Sequence, residues 1–129
     1  MNFGRLAMEM LEGLDTTISA CHDASVKGGW WHDPITGEPL KRNKGEMIAL
    51  IHSELSEALE GARKDTMDDH LPHRKSEEVE MADAVIRIFD YCKGHGLDVA
   101  SALIEKLAYN AHRADHKPEN RVKAGGKKF

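Results

Sequence analysis

Two stretches of this 129-residue chain carry apolar residues at helical spacing, and each has a pair of acids set into it. In Ile51–Arg63 the acids Glu54 and Glu57 stand three residues apart, and in Glu77–Val85 Glu80 and Asp83 do the same. Residues three apart project from neighbouring points of one helical face, so two adjacent helices would bring four carboxylates into a small space. Like charges about 4 Å apart repel by about 4 kcal/mol at an effective dielectric near 20. Such a cluster is unfavourable unless a cation sits inside it. For an all-oxygen site the natural guest is a hard divalent ion, Mg²⁺ or Mn²⁺.

The rest of the chain reads as helices around these two. Leu6, Met10, Leu14 and Ile18 recur every four residues and predict a first helix over residues 3 to about 24, ended by Lys27-Gly28-Gly29. Trp30 and Trp31 then fall in a loop that runs through Thr36-Gly37-Glu38-Pro39. A tryptophan pair there either covers one end of the core or forms a wall on which a flat base could stack. Asn43 with Glu46 three residues on has the form of a capping box, so the second helix is expected to begin near Lys44. Its apolar arc takes in Met47, Ile48, Leu50, Ile51, Leu55, Ala58, Leu59 and Ala62. Glu54 borders that arc, where an ionised carboxylate is costly unless paired or metal-bound, and Glu57 lies further toward the polar side.

Asp65 to Lys75 reads as a loop, and its His70 and His73 lack further partners for a metal site. The third helix is expected from Ser76 as N-cap, with Glu77 and Glu78 explained by the first turn alone. Its apolar residues, from Val79 to Cys92, span more than half the wheel and leave a polar strip of Glu80, Asp83, Arg87 and Asp90. A helix covered over so wide an arc is central in a bundle or packed on a partner subunit. The plainer alternative makes the strip a solvated face. Asp98 can cap a fourth helix running to about Asp115, with Leu103, Leu107 and Ala114 on its core side. Lys106, Asn110 and Arg113 form a polar stripe beside them, suited to a polyanion such as a triphosphate or to salt bridges with the acids of the third helix. Residues 117–129 are Gly- and Lys-rich and read as a mobile basic tail.

Composition agrees with one all-α domain over 1–129. Aromatic residues make up only 5%, while charged residues reach 31%, a balance that favours helices over a β-sandwich. A formal charge of −4 argues against a nucleic-acid partner. No apolar run reaches the roughly 18 residues of a membrane span, so no membrane partner is expected. Cys21 and Cys92 belong to no zinc spacing and fit free thiols in a reducing compartment. The N-terminal stretch from Met1, already acidic at Glu9 and Glu12, is not expected to be a signal peptide. A cytoplasmic protein is the expectation.

Ser53-Glu54-Leu55-Ser56-Glu57, then Glu80-Met81-Ala82-Asp83 after 22 intervening residues, resembles the signature of the MazG-like, all-α nucleoside triphosphate pyrophosphohydrolases. Ser53 stands where that family often has its first glutamate. The downstream Lys106, Asn110 and Arg113 look like the family's phosphate-side helix. The resemblance covers residues from about 45 to 116. It implies a four-to-five-helix bundle assembled as a homodimer or homotetramer, and Mg²⁺-dependent cleavage of a nucleoside triphosphate between the α- and β-phosphates. Glu54, Glu57, Glu80 and Asp83 would hold metal, Glu54 and Glu57 would be catalytic, and Lys106, Asn110 and Arg113 would bind substrate, with Trp30 and Trp31 as candidates for the base pocket. Two other classes stand beside it. A di-iron carboxylate bundle needs Glu-x-x-His, which neither acid pair supplies. A non-catalytic regulatory or interaction bundle would keep the fold without turnover.

Overall fold

The computed structural model describes residues 3–129; the first two residues of the amphipathic N-terminal stretch lie outside them. All regular elements among the described residues are helical: α1 (Phe3–Lys27), α2 (Lys44–Lys64), α3 (Ser76–Gly94), α4 (Val99–Ala111), a 3₁₀ turn at Ala114–His116, and α5 (Pro118–Arg121). None of the helices is long and apolar enough to cross a membrane. Both cysteines are free thiols. The chain forms two compact units, Thr16–Leu97 and a second made of Met1–Asp15 with Asp98–Phe129.

In the Thr16–Leu97 unit, α2 and α3 pack along each other through small residues. The buried positions of α2 are Met47, Glu54, Ala58 and Gly61, a stripe at spacings of seven, four and three, and Ala84 answers them from α3. Gly61 lies so close to the start of α3 that a Cβ there would come within 2.9 Å of Ser76 Cβ and 3.0 Å of the Glu77 amide nitrogen. Asn43 caps α2, its side chain accepting from the Glu46 amide at 3.0 Å. Asp65 closes the helix in the left-handed region at φ 49°.

The start of α3 corrects one expectation. Lys75, not Ser76, is the N-cap, and its amide donates to Glu78 Oε1 at 3.1 Å. Ser76 is drawn away because its hydroxyl pairs with Thr66 Oγ1 at 3.0 Å and its amide donates to the Thr66 carbonyl. Gly29, at φ +82°, turns the chain out of α1 into the tryptophan loop, which is closed by a bridge between His32 and Pro39.

In the second unit, Asp98 caps α4, accepting from the Ser101 amide at 3.1 Å. The helix ends at Ala111, earlier than the spacing suggests, because Arg113 turns to φ −72°, ψ 129° and forks its guanidinium onto Asp115. The covered side of α4 is also rotated from expectation. Leu103 and Leu107 are exposed, whereas Ala100 is buried and Ile104 and Ala108 are half-buried. With apolar residues on nearly every side of this helix, size alone pointed to the wrong stripe. The segment from Lys117 onward contains α5, and Arg121 donates to the carbonyls of Lys127 and Lys128.

Candidate active site

The acids of α2 and α3 meet. Glu54, Glu57 and Glu80 each place a carboxylate oxygen within 4.8 Å of the other two. Glu54 is 8% exposed, Glu80 half-buried and Glu57 exposed, so the group runs from the interhelical seam outward to solvent. Asp83, the fourth acid of the pattern, stands outside this trio but close enough for Glu54 and Glu57 to act on it electrostatically. The small side chains of Ala58 and Ala84 let the two helices approach closely enough for this convergence.

Crowding shows in the protonation of the acids. Burial, a hydrogen bond with Glu54 and the charges of Glu57, Glu54 and Asp83 push Glu80 up to about 7. Burial and the Glu54 charge also raise Asp83, while Arg87 partly offsets them. Arg87 is the only basic side chain among the described residues hydrogen-bonded to this cluster, its Nε donating to Glu54 Oε1 at 2.8 Å. One guanidinium against four acids leaves an excess of negative charge, and a divalent cation would satisfy it. The donor set therefore fits a hard oxygen-seeking ion.

A cavity of about 550 Å³ opens beside the acids, wholly inside the Thr16–Leu97 unit. One wall is the strip of α3 formed by Asp83, Ile86, Arg87 and Asp90, at spacings of three, one and three. Glu54 and Leu50 of α2 border it, and Cys21 and Ser25 of α1 face it. Trp30 and Arg42 complete the lining from the loop. The polar strip of α3 is thus turned inward: Asp90 is 8% exposed and Asp83 half-buried, while Met81 and Val85 of the same helix lie open at 49% and 45%.

Asp90 anchors the loop. Trp31 Nε1 donates to its Oδ1 at 2.8 Å, His22 Nδ1 lies 2.9 Å from the same oxygen, and Ser25 Oγ donates to Oδ2 at 2.8 Å. Trp31 also packs over Gly94, where a Cβ would collide with the indole, and sits edge-on to His22 and His95. The two tryptophans therefore part company: Trp31 is tied into this network, and Trp30, 63% exposed, lines the cavity. Arg42 holds the pair, its guanidinium 6.0 and 5.6 Å from the two ring centres and bonded to the Trp30 carbonyl. In the sequence Asp90 stands out only as part of the polar strip of α3, and Arg42 and Ser25 carry no functional signal. The only available signal for Asp90 was its place, one turn beyond Arg87 on the acid stripe.

Lys106, Asn110 and Arg113 belong to the other unit. Lys106 Nζ lies 4.6 Å from the Tyr109 ring centre, and Arg113 makes a two-pronged pair with Asp115 at 3.0 and 2.7 Å. Asn110 Oδ1 is buried with no hydrogen-bond partner. No family model matches the chain, and no curated protein or solved structure matches it either.

Proposed function

We propose that the protein hydrolyses a (deoxy)nucleoside triphosphate between the α- and β-phosphates, releasing a nucleoside monophosphate and pyrophosphate. The observation that carries this reading is the trio Glu54, Glu57 and Glu80, crowded within 4.8 Å beside a cavity of nucleotide size. Glu54, Glu57 and Glu80 would hold Mg²⁺, or Mn²⁺, with Asp83 as a further ligand. The ion, when bound, supplies neutralisation of the charge that collects on the phosphate oxygens. Glu57, the acid most open to solvent, orients and deprotonates the attacking water. Arg87 and Arg42 supply positive charge on the cavity side, and Trp30 offers a face for the base. The phosphate role of Lys106, Asn110 and Arg113 rests on the resemblance alone. The same resemblance, with the apolar side chains left open on α2 and α3, supports a homodimer or homotetramer.

The test is pyrophosphate release from a panel of nucleoside triphosphates with and without Mg²⁺. Release that depends on the ion, and is nearly abolished by Glu54→Gln or Asp83→Asn with the helical circular-dichroism spectrum retained, is the expected result. A non-catalytic regulatory bundle would bind nucleotide and release nothing from any member of the panel.

A further inference from the structure

The cavity has a second polar end, and its chemistry is opposite to that of a phosphate site. Asp83, Arg87 and Asp90 lie along one stripe of α3, so Asp90 sits seven residues beyond Asp83, about 10 Å along the helix axis at 1.5 Å per residue. That span is comparable to the reach from the α-phosphate of a nucleotide to the far edge of its base. Of the four side chains in the Asp90 network, only Asp90 and Ser25 line the cavity; His22 and Trp31 stand behind. Both of the latter engage Oδ1, which leaves Oδ2 as the oxygen on the Ser25 side.

A carboxylate oxygen has room for two hydrogen bonds, and Ser25 takes one place on Oδ2. The Ser25 proton is spent on Asp90, so its oxygen turns lone pairs outward. This end of the cavity therefore shows two acceptors side by side. The Cys21 thiol nearby is only a weak donor, and of the two guanidiniums that line the cavity Arg87 donates to Glu54 and Arg42 to the Trp30 carbonyl. Two adjacent acceptors call for a group carrying two hydrogens, and a carbonyl placed there would set a third acceptor against the two oxygens of the wall with no proton between them.

We propose that the Asp90–Ser25 end reads an exocyclic amino group, so that the cavity selects amino-bearing bases (the 4-amino group of cytosine or the 6-amino group of adenine) over their keto counterparts. The inference rests on the nucleotide reading of the cavity and adds the base class to it.

Matched pairs that exchange amino for keto test it: CTP against UTP and ATP against ITP for turnover, and the corresponding monophosphates for binding by calorimetry. At least one amino member is expected to be favoured by about a hundredfold or more in kcat/KM and in affinity, since a site built to hydrogen-bond an N–H rejects an analogue lacking it. Ser25→Ala, which removes one acceptor together with the hydrogen bond to Asp90 Oδ2, should shrink that ratio by about tenfold. Asp90→Asn can keep its oxygen toward Trp31 and His22 while turning its amide N–H₂ into the cavity, and should shift preference toward the keto member. Monophosphate discrimination without any pyrophosphate release would remove the hydrolase reading and leave this one standing. Equal treatment of both members of both pairs, or no binding of any, overturns it, whether or not the Asp90 variant folds.

Discussion

Glu80 retains its proton up to about pH 7 because burial, a hydrogen bond with Glu54 and the neighbouring anions all disfavour its charged form. In the unfolded chain the same group titrates near its ordinary 4.5. The folded protein without metal thus binds this proton more tightly than the unfolded chain, so the contribution of Glu80 to stability is greatest below pH 4.5 and declines as pH rises through 4.5 to 7. A divalent ion must displace the proton, so Mg²⁺ or Mn²⁺ affinity should rise with pH and level off above about 7. Calorimetry in buffers of different ionisation enthalpy should detect a proton released per ion near pH 6 and almost none at pH 8.5. Removing the charge tests the catalytic side: Glu57→Gln should lower turnover at least about a hundredfold while the protein still binds nucleotide. Unchanged turnover would take the water-activating role away from Glu57.

At the scale of the elements, the meeting of the acids depends on how closely α2 and α3 approach. Gly61 is a point of close approach, with backbone and Cβ atoms of Ser76 and Glu77 around the space a methyl would occupy. Alanine is favoured over glycine inside a helix by about 0.8–1.0 kcal/mol, but forcing the start of α3 aside costs about 1–3 kcal/mol. Gly61→Ala should therefore lower stability and weaken metal binding. Gly13→Ala, in α1 with nothing within 4 Å of its new methyl, should raise stability by up to about 1 kcal/mol. Denaturant midpoints of the two variants are expected to move in opposite directions, and a shared sign would mean that Gly61 is not a packing constraint. Asn43→Ala, which removes the cap of α2, should cost about 1 kcal/mol in the same assay.

For the molecule as a whole, the sequence made the helices and the convergence of their acids legible, because periodicity and the three-residue spacing are local properties. Asn43 and Asp98 cap as their side chains require, and α2 and α3 begin within a residue of their expected starts. What stayed hidden depends on distant parts of the chain. Nothing in the order of residues says that Asp90 would accept from His22, Ser25 and Trp31, 68, 65 and 59 positions away, or that Trp31 would be tied down while Trp30 lined the cavity. The wide apolar arc of α3 was legible, but not which part of it would stay open.

Leu55 and Leu59 on α2 are 42% and 61% exposed, and Met81 and Val85 on α3 are 49% and 45% exposed, each pair four residues apart. Exposed apolar residues at that spacing form stripes rather than scattered contacts, and self-association is the economical way to cover identical stripes on identical chains. Under the proposed homo-oligomer, sedimentation should give a mass that is a multiple of 14.4 kDa. Leu59→Glu combined with Val85→Glu places charges in that interface and should return the mass to a single chain. Because the cavity and the acid trio lie within one chain, the dissociated variant should still bind Mg²⁺ if its helices survive. A wild-type mass of one chain at concentrations of tens of micromolar, the range of about −6 kcal/mol of association free energy, would mean that these stripes are not a self-association surface.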